Sequence, residues 1–317
     1  GDYNGFVHVI SSDGTELIDD IFPFDTGNQI WGAISAADMD HDGLIDIAVV
    51  SKSKHFYLLD INGLKVDFDS GKFLLGTPAI GNLDEDENLE VVFSGYSSGN
   101  MIWALNHDGS SVDGFPIELG EKVKIGVALA DFNGNGKDDI VVGTDDDYIH
   151  LFLDDGSVAA GFPFQAGDKI QSAPSILDVG DQKVIFAGSN DANLYAINED
   201  GSLRFSISTT DDVLNSPTFL GHNNNQYVFF SDDNGMLYAV DMDGNALSGW
   251  PVDAEATISK SVVFADLDGD GMTEVIAVTE LKDVLAYNLD GSLHDGFPIF
   301  ADQPFFSAPM THDLDGD

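Results

Sequence analysis

A two-residue turn, Asp or Asn followed by Gly, closes an alternating apolar strand seven times along this chain. The copies are Asp13-Gly14, Asn62-Gly63, Asp108-Gly109, Asp155-Gly156, Asp200-Gly201, Asp243-Gly244 and Asp290-Gly291. Asx-Gly dipeptides supply the positive-φ turns that join neighbouring antiparallel strands, so each copy marks a hairpin. Successive glycines stand 49, 46, 47, 45, 43 and 47 residues apart, a period that fits a four-stranded unit. Such a unit is too long for one coil of a β-solenoid and too small to fold alone. The expected fold is therefore all-β, a single seven-bladed β-propeller of four-stranded antiparallel blades spanning residues 1–317.

The repeats divide the chain at about 25–71, 72–119, 120–166, 167–209, 210–254 and 255–301, with a composite blade from 302–317 plus 1–24. Within 255–301 the pattern predicts strands over Ser261 to Ala265, Glu274 to Val278 and Val284 to Asn288, then the turn and a Gly296-Phe297-Pro298 ending. That ending recurs as Gly114-Phe115-Pro116, Gly161-Phe162-Pro163 and Gly249-Trp250-Pro251, and Phe22-Pro23 is its counterpart in the first unit. Proline cannot donate to a ladder, which suits it to an edge strand. The closing blade is one strand short of a full unit, so the chain reads as a fragment of a larger protein.

Between the first two strands of most repeats lies a nine-residue loop with oxygen-bearing side chains at positions 1, 3, 5 and 9. The copies are Asp38, Asp40, Asp42 and Asp46; Asn82, Asp84, Asp86 and Glu90; Asp131, Asn133, Asn135 and Asp139; Asp266, Asp268, Asp270 and Glu274; and a truncated Asp313, Asp315 and Asp317. Hard oxygen ligands at alternate positions, a Gly for the sharp turn and a distal carboxylate suit a calcium cage like the first half of an EF-hand loop. Position 7 (Leu44, Asn88, Lys137, Met272) is expected to add its backbone carbonyl. Magnesium demands a tighter octahedron and keeps its waters, so about five structural Ca²⁺ sites are expected. The loops at Asp178-Val179-Gly180-Asp181 and Gly221-His222-Asn223-Asn224-Asn225 break the pattern and are expected to bind none.

Charge agrees with this. Acidic residues number 56 against 11 Lys and the lone Arg204, a formal charge of −44, so nucleic acid and anionic membrane surfaces are excluded as partners. The excess is either neutralised by bound cations or carried as a solvated, salt-adapted surface. There is no cysteine, hence neither a disulfide framework nor a thiolate site. No apolar run is long enough to insert directly into a membrane, and no signal-peptide pattern is present.

The Asp-x-Asp-x-Asp-Gly-x-x-Asp/Glu loops, the Val-Ile-Ala-Val and Ile-Val-Val-Gly strands that follow them, and the Gly-Phe-Pro endings resemble the FG-GAP, or VCBS-type, repeats of integrin α-subunit propellers and bacterial surface proteins. The resemblance covers the whole chain. It implies calcium in the loops, on the face opposite the usual ligand face. It implies little about function, since such propellers serve in adhesion proteins, in lectin-like modules and beside catalytic domains. Asn193-Leu194-Tyr195-Ala196-Ile197 and Met236-Leu237-Tyr238-Ala239-Val240 also look like quinoprotein propeller strands.

A ligand near a propeller axis meets the residues that enter the innermost strands. Trp31, Lys124, Gln171, Phe305 and Phe306 are the candidates here, the aromatics either forming a platform or plugging the channel. Variable loops, including Ser51 to Lys54 and Tyr96 to Asn100, complete that face. No repeat carries the long insertion that builds an enzyme pocket, and none of the eight His pairs with a nucleophile or a second His at metal spacing. The expectation is a calcium-stabilised, non-catalytic adhesion or recognition module, secreted or at the cell surface, where free calcium is plentiful. It would bind a protein or glycan, or other domains of the same larger protein. The rival is a propeller enzyme, a polysaccharide lyase or hydrolase, or a quinone-dependent dehydrogenase.

Overall fold

The computed structural model describes residues 1–11, 13–180, 182–305 and 307–311. They are all-β, and among them no helix is long and apolar enough to cross a membrane. The chain divides into two compact units, Gly1–Gln165 and Ala166–Asp317.

In the first unit, β1 (Phe6–Val7) and β2 (Phe24–Asp25) form a two-stranded sheet. Three four-stranded sheets follow. The first comprises β3 (Ser35–Ala37), β4 (Asp46–Val50), β5 (His55–Asp60) and β6 (Gly63–Asp69). The next has β7 (Ala79–Gly81), β8 (Glu90–Ser94), β9 (Met101–Leu105) and β10 (Ile117–Glu118), and the last has β11 (Val127–Ala130), β12 (Asp139–Gly143), β13 (Tyr148–Phe152) and β14 (Phe164–Gln165).

The second unit holds three more four-stranded sheets. They are β15 (Ser175–Val179), β16 (Gln182–Ser189), β17 (Asn193–Asn198) and β18 (Leu203–Ser208); β19 (Thr218–His222), β20 (Asn225–Ser231), β21 (Met236–Asp241) and β22 (Val252–Asp253); and β23 (Val263–Ala265), β24 (Glu274–Val278), β25 (Asp283–Tyr287) and β26 (Ile299–Phe300). Every sheet is an antiparallel meander. Six four-stranded sheets and one shorter one are the blades of a seven-bladed β-propeller.

The middle strands of each blade are apolar without alternation because both faces are covered. Along β8, Val91 and Phe93 pack with Val50, Phe56 and Leu58 of the preceding blade, while Val92 turns the other way, toward Ile140 and Val142 of the next. Period-two alternation thus serves two cores from one strand. In the second unit, Val228 joins Val184 and Phe186, and its neighbour Phe229 joins Val275 and Ala277. Edge strands such as β22 and β26 are short and more exposed. The Gly-Phe-Pro endings lead into these edges, and their X-Pro bonds are cis.

The strands expected in 255–301 fall at Val263–Ala265, Glu274–Val278 and Asp283–Tyr287, the first two residues shorter than read because Ser261 and Val262 precede the ladder. The stretch 307–311 carries no strand, and residues 312–317, expected to continue the shared blade, lie outside the described residues.

Candidate metal centres and recognition surface

Each carboxylate loop joins the first strand of a blade to the second, so its ninth residue is the first of a buried strand. Asp46, Glu90, Asp139 and Glu274 are consequently buried at the starts of β4, β8, β12 and β24. The position-9 carboxylate turns back and accepts the N–H of position 2: Met39 to Asp46 at 3.0 Å, Leu83 to Glu90 at 2.6 Å, Phe132 to Asp139 at 2.8 Å and Leu267 to Glu274 at 2.8 Å. Position 5 accepts the N–H of position 7 in all four: Leu44 to Asp42, Asn88 to Asp86, Lys137 to Asn135 and Met272 to Asp270, at 2.7–2.8 Å. The first-position carboxylates of three loops take the N–H of a position-6 glycine with φ of 84–87°: Gly43 to Asp38, Gly136 to Asp131 and Gly271 to Asp266.

The second loop departs from this. Glu87 stands where the others have glycine, and Asn82 Oδ1 is left buried and unpartnered.

Three carboxylate groups converge with ligand atoms within 4.8 Å of one another: Asp38, Asp40 and Asp42; Asp84, Asp86 and Glu90; and Asp266, Asp268 and Glu274. In the first two loops the cluster borders orphaned buried oxygens, Asp38 Oδ1, Asn82 Oδ1 and Glu90 Oε1. Glu90 is 0% exposed, and burial, aided by the charges of Asp84 and Asp86, pushes its carboxyl up to about 7. An acceptor oxygen buried without a donor is costly unless a cation completes it. The donor set is all oxygen, so these three loops fit a hard divalent cation such as calcium.

The third loop is arranged differently. Both oxygens of Asp139 accept backbone N–H groups, from Phe132 and from Asp154, the latter at 2.9 Å. Lys137 directs its ammonium to Asp154 at 2.8 Å, and Asn135 Nδ2 donates to the same carboxylate at 3.0 Å. Asn133 accepts the N–H of Asn135. No three carboxylates gather there among the described residues. Asp313, Asp315 and Asp317 of the truncated fifth loop lie outside the described residues.

Where the two irregular loops stand, the second unit carries a cleft of ≈ 840 Å³ lined by Gly180, His222, Asn223, Asn224, Tyr227 and Asp243 among others. Asn223 and Asn224 make the tight turn with φ of 50° and 62°, a conformation that asparagine tolerates better than most residues.

Of the axial candidates, Trp31 is 49% exposed and leans on Tyr3, 64% exposed, with ring centroids 5.8 Å apart. The Lys52 ammonium sits 4.6 Å from the Trp31 ring centroid. Gln29 Oε1 accepts from both Trp31 Nε1 at 3.1 Å and Lys52 Nζ at 3.0 Å, fixing ring and cation together. Two further cations sit over rings in the first unit, Lys54 on Phe73 at 5.5 Å and Lys122 on Tyr96 at 5.6 Å. Tyr3, Gln29, Phe73 and Lys122 were not singled out from sequence; no spacing marks a residue that matters only through a cation lying on a ring. Lys124 and Gln171 are half-buried and engaged. The backbone carbonyl of Phe305 accepts from the Ser259 hydroxyl at 2.6 Å, and Phe306 lies outside the described residues.

Of the described histidines, His8 is held by Glu16 and Asp2, His55 by Asp67, His41 against the Glu87 carbonyl, His150 on Phe152 and His294 on Asn288 Oδ1, none against a second histidine.

Comparison with known proteins agrees with repeat and fold. The family model for the FG-GAP-like repeat matches residues 82–142, which hold the second and third loops. No curated protein matches the chain in sequence. Among solved structures, BBS1N in complex with ARL6DN, from a crystal soaked with lead, superposes with a TM-score of 0.59 at 14% identity, covering 86% of this chain and 82% of that one. BamB from Moraxella catarrhalis superposes with a TM-score of 0.60 at 17% identity, covering 82% of this chain and 73% of its own. Residues 82–142 are thus similar to the FG-GAP-like repeat, and the blades of the whole chain are those of a β-propeller.

Proposed function

We propose that this chain is a calcium-stabilised recognition module that binds a protein partner through an exposed aromatic and cationic patch on its first unit. FG-GAP propellers are in general interaction or recognition modules, and BBS1N, a structural neighbour, was crystallised in complex with ARL6DN. The observation that carries the specific reading is the Tyr3, Trp31, Lys52 and Gln29 constellation. A half-exposed Trp31 fixed with Lys52 by a shared hydrogen-bond acceptor, with the exposed Tyr3 ring against it, loses little entropy on binding, and such residues dominate protein interfaces. The cation beside them stands out in a chain of −44 and steers acidic segments of a partner toward the patch.

The loops supply the scaffold. Calcium in the three converging carboxylate groups removes like-charge repulsion where blades begin, and it stabilises the fold by mass action. Loops of this kind fill where free calcium is millimolar, which favours an exported, extracellular or cell-surface setting.

The test is binding of immobilised wild type and Trp31→Ala to an extracellular protein library and, in parallel, to a glycan array, with calcium present. The expected result is a protein ligand captured by wild type and lost by at least tenfold in Trp31→Ala, with unfolding temperature unchanged. Equal capture by both proteins removes the patch from the reading. Glycan binding alone would replace the protein partner, and turnover of a polysaccharide would replace recognition by enzymatic action.

A further inference from the structure

The first carboxylate loop differs from the second and fourth in what already lies against it. Lys65, in β6, places Nζ 2.7 Å from Asp40 Oδ2 and 2.7 Å from Asp46 Oδ1. These are positions 3 and 9 of the loop, and the Asp46 side chain is 1% exposed. Among the described residues no Lys or Arg pairs with Asp84, Asp86, Glu90, Asp266, Asp268 or Glu274. All three loops share the bond from the position-2 N–H to the position-9 carboxylate, and among them the ammonium is particular to the first. The orphaned Asp38 Oδ1 is not among the oxygens that Lys65 reaches and stays open to a cation.

We propose that Lys65 is an internal counter-ion of the first loop and competes with a divalent cation for Asp40 and Asp46. A cation can complete the loop with all four carboxylates only when Lys65 withdraws. That withdrawal breaks two charge-assisted hydrogen bonds and leaves the ammonium to water. Loop 1 therefore fills last, despite having four carboxylates where loop 2 has three. Its occupancy follows calcium concentration in a range where loops 2 and 4 are already saturated. The inference rests on the reading of the loops as cation sites.

The experiment is calcium titration calorimetry of EDTA-stripped full chain, comparing wild type with Lys65→Met, which keeps the stem, and Lys65→Gln, which keeps a hydrogen-bonding group without charge. Thermal unfolding is recorded at each calcium level. Wild type is expected to show tight sites, lost in Glu90→Gln and Glu274→Gln, and a weaker one. Either Lys65 variant should tighten the weak site by about tenfold or more, since two partly exposed ion pairs oppose the metal. Adding Asp42→Asn to the variant should abolish the gain, and unfolding temperature in EDTA should fall in Lys65→Met. Unchanged affinities in folded Lys65 variants, with the tight sites intact, would overturn this inference alone. No calcium binding in any of these proteins would overturn the cation reading of the loops together with it.

Discussion

The backbone N–H of Leu83 donates to Glu90 Oε2 across 2.6 Å, and the other oxygen of that carboxylate is buried with no partner. One oxygen is thus built into the loop, the other is left open, and the carboxylate clusters with Asp84 and Asp86. Burial raises the carboxyl to about 7, so at pH 8 without metal the fold carries an ionised group it would rather keep neutral. Glu90→Gln removes that charge and offers an amide to the neighbouring carboxylates. In EDTA at pH 8 the variant should be more stable than wild type by about 1–3 kcal/mol, and in calcium it should be less stable. A variant that follows wild type in both conditions would mean that Glu90 holds no cation.

His150 gives a pH dependence of definite sign. Its ring stacks on Phe152 at 5.5 Å and 3°, and burial lowers its pKa, with Asp146 acting weakly the other way. The folded value lies below the unfolded 6.5, so the unfolded chain takes up the proton first. This contribution is fully present above 6.5 and is lost as pH falls through and below that value. His8, held by Glu16 and Asp2, is raised and has the opposite sign, but it lies at the surface where solvent screens those pairs. Urea unfolding of wild type and His150→Phe between pH 7.5 and 5, in saturating calcium, should show a shallower loss of stability in the variant. Parallel curves would reject the assignment.

How much of this was legible in the sequence depends on what holds each element. The seven Asx-Gly turns fixed the blades because a turn of this kind is local chemistry, and the carboxylate loops were visible because their ligands alternate along one short segment. What escaped were relations between blades. Gly249 and Gly114 were read only as companions of Phe, Trp and Pro, yet each has φ near +90° and faces the backbone oxygen of Asp290 or Asp155 in the next blade's turn. Within single blades too, Lys65 reaches 19 residues back to Asp46 and Lys137 on to Asp154 only through tertiary folding. No spacing rule anticipates a lysine such as Lys65, which arrives from two strands away in the same sheet.

Gly249 tests that relation. A Cβ there would strike the Asp290 carbonyl and also sit at φ +90°. Gly249→Ala should cost roughly 2 kcal/mol or more, since backbone on both sides must move. Gly71, at φ +67° with nothing near its missing Cβ, is the control and should lose only about 1 kcal/mol as alanine. Equal losses in chemical denaturation would show that conformation alone, without the inter-blade approach, selects glycine at 249.

Phe93 is where one residue serves most of a core. It is fully buried in β8, stacked between Phe56 at 4.8 Å and Trp103 at 5.5 Å, with Phe68 edge-on at 6.0 Å. Phe93→Ala removes a ring with aromatic partners on three sides and leaves a cavity that strands fixed by their ladders cannot close, so about 3–5 kcal/mol should be lost. Phe93→Leu should lose well under half of that. Because Phe93 lies three residues beyond Glu90 on the same strand, loosening it also loosens the ninth position of the second loop. Calcium should therefore bind Phe93→Ala more weakly than wild type, with Phe93→Leu between them. Hydrogen exchange should report the loss first in β4, β5, β8 and β9, whose residues share that cluster. If exchange there is unchanged while calcium affinity falls, the coupling runs through the loop backbone and not through the packed aromatic stack.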